Sequence, residues 1–157
     1  MKKIATLIVL LLMAIVYGCA SIRGGGTATT YTQSIGNATE FDIKQKTHRV
    51  LVERYSFDIV RFTESSDLIY FETDWRERLP LDDERVLGVE ATRSRIIIEA
   101  RPRTRTYYTV RFNAETMGRF IGSDTWEYIR VTNDLRAYMR DIARDLEREL
   151  DSGIRLY

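Results

Sequence analysis

EATRSRIIIEARPRTRTYYTVRFNA, Glu90 to Ala114, is the stretch that decides the fold. In its first half Thr92, Ser94, Ile96, Ile98 and Ala100 alternate with Arg93, Arg95, Ile97, Glu99 and Arg101. An extended strand puts such a period-two pattern on two opposite faces. Pro102-Arg103-Thr104 turns the chain. From Thr106 to Ala114 the alternation resumes, with Tyr108, Val110 and Phe112 inward and Tyr107, Thr109, Arg111 and Asn113 outward. Two long strands joined by a short turn pair antiparallel, and their one-sided apolarity gives the sheet one covered face and one wet face.

Upstream, a second hairpin is expected from Phe57 to Phe62, a turn at Glu64-Ser65-Ser66-Asp67, and Leu68 to Trp75. Ile69, Phe71, Thr73 and Trp75 share one side of its second strand, and Tyr70, Glu72 and Asp74 the other. Residues 76 to 86, charged and holding Pro80, read as an exposed loop. Before the hairpin, Ile43, Val50 and Leu51 suggest a helix from Phe41 to about Arg54, started by Thr39 as cap with Asp42 three residues on. Gly118 and Gly122 mark a loop downstream, and Trp126 to Val131 forms a short apolar segment that fits no element by pattern. The last helix is the plainest: Thr132 or Asn133 can cap it, and Leu135, Met139, Ile142, Leu146 and Leu150 recur at four, three, four and four. Gly153 stops it. Its opposite face, Arg136, Arg140, Asp141, Arg144, Asp145, Arg148 and Glu149, reads as solvated. The expected architecture is α+β: a mostly antiparallel sheet of four or five strands with two helices packed on one face, forming a single domain over residues 38–157.

The amino-terminal end follows a different rule. Lys2 and Lys3 precede the apolar run Ile4 to Val16, and no acid appears before Glu40. That is the profile of a secretory signal over residues 1–18, too short to span a ~30 Å hydrocarbon core as a permanent helix. Val16-Tyr17-Gly18-Cys19 resembles the lipobox of bacterial lipoproteins, with an aliphatic residue at −3, a small one at −1 and cysteine at +1. The resemblance implies cleavage before Cys19, thioether attachment of diacylglycerol to it, and acylation of the new amino group. Cys19 is the only cysteine in the chain. Two or three acyl chains make such an anchor effectively permanent. Ala20 rather than Asp after the cysteine favours the outer membrane by the enterobacterial sorting rule. Residues 19–37, with Gly24-Gly25-Gly26 and scattered Ser, Thr and Asn, read as a flexible, lipidated tether.

Composition narrows the function classes. The 157 residues are 44% hydrophobic and 30% charged, as in an ordinary globular domain. Loss of residues 1–18 removes Lys2 and Lys3 and no acid, turning a formal charge of +1 into −1. Such a balance predicts no nucleic-acid partner. His48 is the only histidine, which excludes a metal site built on histidines and leaves a Ser-His-Asp triad a single candidate. The acid pairs Asp82-Asp83 and Glu72 with Asp74 form no calcium-binding array, and the triple glycine has no Lys-Ser or Lys-Thr after it, as a phosphate loop requires. No cofactor is expected. What survives is the outward face of the two long strands, where Arg93, Arg95, Arg101, Tyr107 and Arg111, with Ile97, make a basic and aromatic surface suited to carboxylates, phosphates or a partner strand.

The lipobox at Cys19, the hairpin Phe57 to Trp75 ending in Glu72-Thr73-Asp74-Trp75, and the closing helix followed by Ser152-Gly153-Ile154-Arg155 together resemble small bacterial outer-membrane lipoproteins. Accessory lipoproteins of the barrel-assembly machinery are the nearest of these. The resemblance implies a non-enzymatic scaffold on the periplasmic face of the outer membrane, held there by the lipid on Cys19 and bound to an envelope protein; it transfers no binding residue. The alternative expectation is a binding protein for a small amphipathic ligand held between sheet and helices, for which an apolar cavity beneath Trp75 and Trp126 would speak.

Overall fold

The computed structural model describes residues 28–152. The signal segment, Cys19, most of the expected tether and the helix stop at Gly153 lie outside the described residues. In chain order the elements are β1 (Thr30–Ala38), α1 (Glu40–His48) with a π-helical turn (Arg49–Arg54), β2 (Ile59–Glu64), β3 (Ile69–Thr73) and β4 (Arg76–Arg78). Then follow α2 (Asp82–Val86), β5 (Val89–Pro102), β6 (Tyr108–Phe120), β7 (Glu127–Tyr128) and α3 (Asn133–Asp151). The strands form one antiparallel sheet in the order β1-β6-β5-β3-β2, with β4 added beside β5 and β7 beside β6.

The α+β architecture is the one expected, and the long β5–β6 pair is its spine, running from Val89 opposite Phe120 to Pro102 opposite Tyr108. On β5 the residues from Thr92 to Ala100 at every second position are buried, as the alternation requires. Helices α1 and α3 cover that face. Ile35 of β1, Ile69 of β3, Ile96 and Ile98 of β5 and Phe112 of β6 meet Ile43, Val50 and Leu51 from α1 and its π turn. All five apolar positions of α3 are fully or almost fully buried in the same core. Both helix starts are capped by threonine: Thr39 Oγ1 accepts the Asp42 amide at 3.2 Å and Thr132 Oγ1 that of Leu135 at 3.3 Å.

Four expectations need correction. Residues 30–37, read as tether, belong to β1, which pairs with β6 and buries Tyr31, Ile35 and Ala38; its Thr-rich composition suits an extended backbone as well as a linker. A bulge between Ser34 and Asn37, with Gly36 at φ +91°, breaks its ladder. The loop 76–86 contains β4 and α2, tied down by a buried ion pair. Arg78 donates to Glu84 at 2.7 and 2.5 Å, Glu84 also accepts the Leu81 amide, and Arg78 Nε reaches Ser94, itself bonded to Thr116. Gly118 lies inside β6 rather than in a loop, where a Cβ would come within 2.8 Å of Ile129. The segment 126–131 supplies β7 and seats Ile129 against that glycine. The sheet thus has seven strands among the described residues, and the helices number three.

The charged face of α3 is only partly solvated. Asp145 accepts from Tyr55 at 2.8 Å and from Arg54 at 3.3 Å, and Glu149 accepts from Arg54 at 2.9 Å. Burial together with the Asp145 carboxylate pushes the Tyr55 hydroxyl up to about 12, and the bond from Tyr55 holds Asp145 below the usual carboxylate range.

Candidate functional site

Among the described residues the second face of the sheet carries no helix, and the side chains that β5 and β6 send to it build the site. Arg93 and Arg95 project there from β5 because the intervening Thr92, Ser94 and Ile96 face the core. Two tryptophans arrive from outside the central pair. Asp74 interrupts the extended chain between β3 and β4, its carboxylate accepting the Trp75 amide at 2.7 Å while its own amide bonds to the Asp58 carbonyl. The break turns Trp75 over to the open face, opposite to the side on which uninterrupted alternation puts it. Trp126 comes from the loop that leaves β6 through a turn at Gly122 (φ +80°).

Guanidinium groups and indoles then alternate. Arg95 lies 4.8 Å from the Trp75 ring centre and Arg93 5.0 Å from it; Arg93 is 4.6 Å from Trp126, and Arg119 is 5.7 Å from Trp126. The result is a five-membered ladder, Arg95, Trp75, Arg93, Trp126, Arg119, with Tyr128 set edge-on to Trp75 at 6.2 Å. Each cation sits within the ~6 Å at which the ring quadrupole attracts it. Between two indoles, Arg93 has its Nε buried without a hydrogen-bond partner, while its Nη2 reaches the Met117 sulfur at 3.3 Å. The π faces take the place of water there.

Ion pairs continue the ladder across the sheet. Arg95 bridges Glu72 on β3 at 2.6 Å and Glu115 on β6 at 2.8 Å, and Glu72 also accepts from Tyr70 at 2.9 Å. Burial disfavours the Arg95 charge, but the Glu115 and Glu72 carboxylates outweigh it and hold the guanidinium above its ordinary value. Arg61 on β2 lies 5.4 Å over the Tyr70 ring.

Of the five residues that the alternation placed on this face, Arg93 and Arg95 come together in the ladder. Arg101 and Arg111 stand apart, around a notch of about 110 Å³ that Glu99 and Thr109 complete. Six strand residues, roughly 20 Å at 3.3 Å each, separate Arg95 from Arg101. Tyr107 belongs to neither group: it is half-buried in the hairpin turn, where its carbonyl accepts the amides of Arg103 and Thr104. Trp126 and Tyr128 were not legible as members, because they reach the face only through the β6–β7 return; Met117 and Arg119 were missed because the expected strand stopped at Ala114 with Gly118 in a loop, whereas β6 runs on to Phe120.

The remaining candidates have structural partners. His48 is exposed at the end of α1, its Nδ1 3.9 Å from Glu53. Asp83 and Asp134 each accept the other's backbone amide, at 3.4 and 2.9 Å, and so cap the starts of α2 and α3. Among the described residues no three His, Cys, Asp or Glu side chains are grouped to hold a metal ion, and no helix is long and apolar enough to cross a membrane. The space between sheet and helices is filled by Ile35, Ile96, Phe112, Leu135, Met139 and Ile142, and both tryptophans lie on the opposite face. Compared with known proteins, the chain matches no family model and no curated protein.

Proposed function

We propose that this chain is a membrane-tethered, non-enzymatic interaction module of the bacterial cell envelope. In this reading the lipid on Cys19 anchors it to the outer membrane on the periplasmic side, and the open face of the sheet receives an envelope protein partner. The observation that carries the reading is the Arg–Trp ladder. Trp, Tyr, Arg and Met are the residues enriched at the centres of protein interfaces, where large rigid rings and planar cations give contact area at small entropic cost. Here they are collected on the face that no helix among the described residues covers, and they are held in place by one another and by the ion pairs of Arg95. A pre-ordered surface of this kind loses little freedom on association.

Two measurements test the proposal. Intact mass of the membrane-extracted protein should show a chain beginning at an acylated Cys19, and Cys19→Ser should remove the acyl mass and release the protein from the membrane. A photo-crosslinking amino acid at Tyr128, beside the ladder, should give a discrete cross-linked product in cells that Trp75→Ala abolishes. The same probe at Glu147, on α3, should not give that product. An unmodified amino terminus would sink the anchoring; equal cross-linking from both positions would sink the assignment of the face.

A further inference from the structure

The free edge of the sheet has a shape that a second molecule completes. Among the described residues strand β2 pairs only with β3, and its other side presents amides and carbonyls that none of them pairs. Five of its six residues are exposed, including Val60 at 60% and Phe62 at 48%. Natural sheets protect such edges with proline, lysine, bulges or a covering element. The opposite edge, β1, has its bulge at Gly36 and α3 packed alongside. Strand β2 has a register shift of its own between Ile59 and Arg61, beyond which Arg61 to Glu64 pair with β3 in unbroken register and hold neither proline nor lysine. Beside it runs a groove of about 530 Å³ between β2 and α1, lined by Lys44, His48, Val52, Ile59, Phe62 and Phe71.

We propose that β2 pairs antiparallel with β2 of a second copy of this chain, about a two-fold axis at Phe62. Hydrogen-bond direction selects the register. The Ser65 amide bonds to the Leu68 carbonyl across the β2–β3 turn at 2.9 Å. In an antiparallel ladder the direction alternates, so Ser65 and Thr63 point their amides toward β3, while Glu64 and Phe62 point theirs outward. A two-fold axis at any residue of this stretch keeps each face of the sheet continuous between copies. At Arg61 it opposes two like charges, which cross-strand pairs avoid; at Thr63 it sets the Glu64 carboxylate against Phe62, and at Glu64 it opposes two carboxylates. The axis at Phe62 puts Phe62 opposite Phe62 and Arg61 opposite Thr63, with the outward amides of Phe62 bonded across the axis. Phe62 already stacks on Phe71 at 4.8 Å, so the junction carries a row of four phenyl rings at the mouths of the two grooves. The charge of Glu64 is met within its own copy by Lys44 at 2.7 Å, so no unpaired acid enters the junction.

The test uses the full chain extracted in detergent. Sedimentation should show a dimer that Phe62→Pro converts to a monomer with an unchanged circular dichroism spectrum, because the one backbone donor that proline removes faces the edge, and the ring it loses is half exposed. Phe62→Glu, which sets two carboxylates face to face, should do the same and covers the case in which the proline variant fails to fold. Directly opposite residues of a bonded pair lie about 5.5 Å apart at Cα, within disulfide range. Phe62→Cys should therefore give a chain of doubled mass on non-reducing gels, while Thr63→Cys should not; the wild-type lane controls for Cys19. A wild type that stays monomeric at every concentration, a dimer that survives both Phe62 variants, or equal cross-linking at 62 and 63 would each overturn the proposal.

Discussion

Replacing Glu84 by glutamine removes one charge and no volume, and the structure makes its cost large. The Glu84 side chain is fully buried, and Arg78, its partner, is 12% exposed. In the wild type both guanidinium nitrogens bond to the carboxylate, a third donor reaches Ser94 and a fourth contact reaches the Leu79 carbonyl. Glutamine returns one acceptor and presents one amide against a donor, leaving Arg78 cationic beside a fully buried neutral side chain. Breaking a buried pair from one side costs about 3–5 kcal/mol. For a folded unit of this size 1 kcal/mol corresponds to a shift of roughly 3–5 °C, so Tm should fall by about 10–20 °C. Denaturant unfolding followed by far-ultraviolet circular dichroism measures the loss. The double variant Arg78→Met with Glu84→Leu removes both charges and should recover most of it, since an apolar replacement of a buried pair is often neutral. A loss below about 1 kcal/mol in the Glu84→Gln single variant, or a double variant as unstable as the single one, would refute the account of α2 as pinned by this pair.

Other predictions follow from different parts of the molecule. Arg93→Met should cost about 1–2 kcal/mol and change the tryptophan emission spectrum, because Trp75 and Trp126 are the only two indoles and both contact that guanidinium; an unchanged spectrum would count against the ladder. Gly118→Ala should destabilise by about 1–3 kcal/mol through overpacking against Ile129 and Val89, 2.8 and 3.0 Å from the new carbon, and Ile129→Ala, which removes the Cγ2 methyl at 2.8 Å, should cost less in the Gly118→Ala background than in the wild type. Tyr55, raised to about 12, contributes stability that is complete below pH 10 and is lost as pH climbs from about 10 to about 12. Asp145, lowered, contributes stability that is present above the ordinary carboxylate pKa and disappears as pH falls below it. A pH series of unfolding midpoints should show a smaller alkaline loss in Tyr55→Phe than in the wild type, the Tyr70 hydroxyl, which burial and Glu72 also hold up, leaving a remainder in both.

Regular alternation and helical spacing made β5, the first half of β6, β3 and α3 readable, because each buries one face against a single neighbour layer. Strand β1 was hidden by its residue types. Threonine, serine and asparagine serve linkers and edge strands alike, and the telling pair, Tyr31 and Ile35, is too sparse to separate the two. Trp75 was assigned to the wrong side for a local reason: strand periodicity was carried through Asp74, where a carboxylate-to-amide bond ends the strand. The site suffered more than the fold. Arg93 and Arg95 were found by alternation alone, but what they touch depends on two returns of the chain whose paths follow from packing at Gly118 and from the bond at Asp74. Arg101 obeyed the same alternation and ended some 20 Å along the strand from Arg95, and Arg111, opposite Glu99, about 13 Å along from it, since periodicity names a face and says nothing of position along it.

The place of β1 also governs how the domain would bear mechanical load. Ala28 already bonds to the Val131 amide at 2.8 Å, and from Thr30 onward the chain is laddered to β6. At most about 3.6 Å per residue, the nine residue steps from Cys19 to Ala28 allow no more than roughly 32 Å between the proposed lipid and the folded body. Thr30 sits opposite Glu115 and Ala38 opposite Tyr108, so a pull from the amino end runs along the strand axis. Tension along that axis loads the β1–β6 bonds in parallel, as shear, instead of peeling them one by one. A domain joined to its anchor through such a strand can resist a tug between a partner and the membrane without first giving up its core.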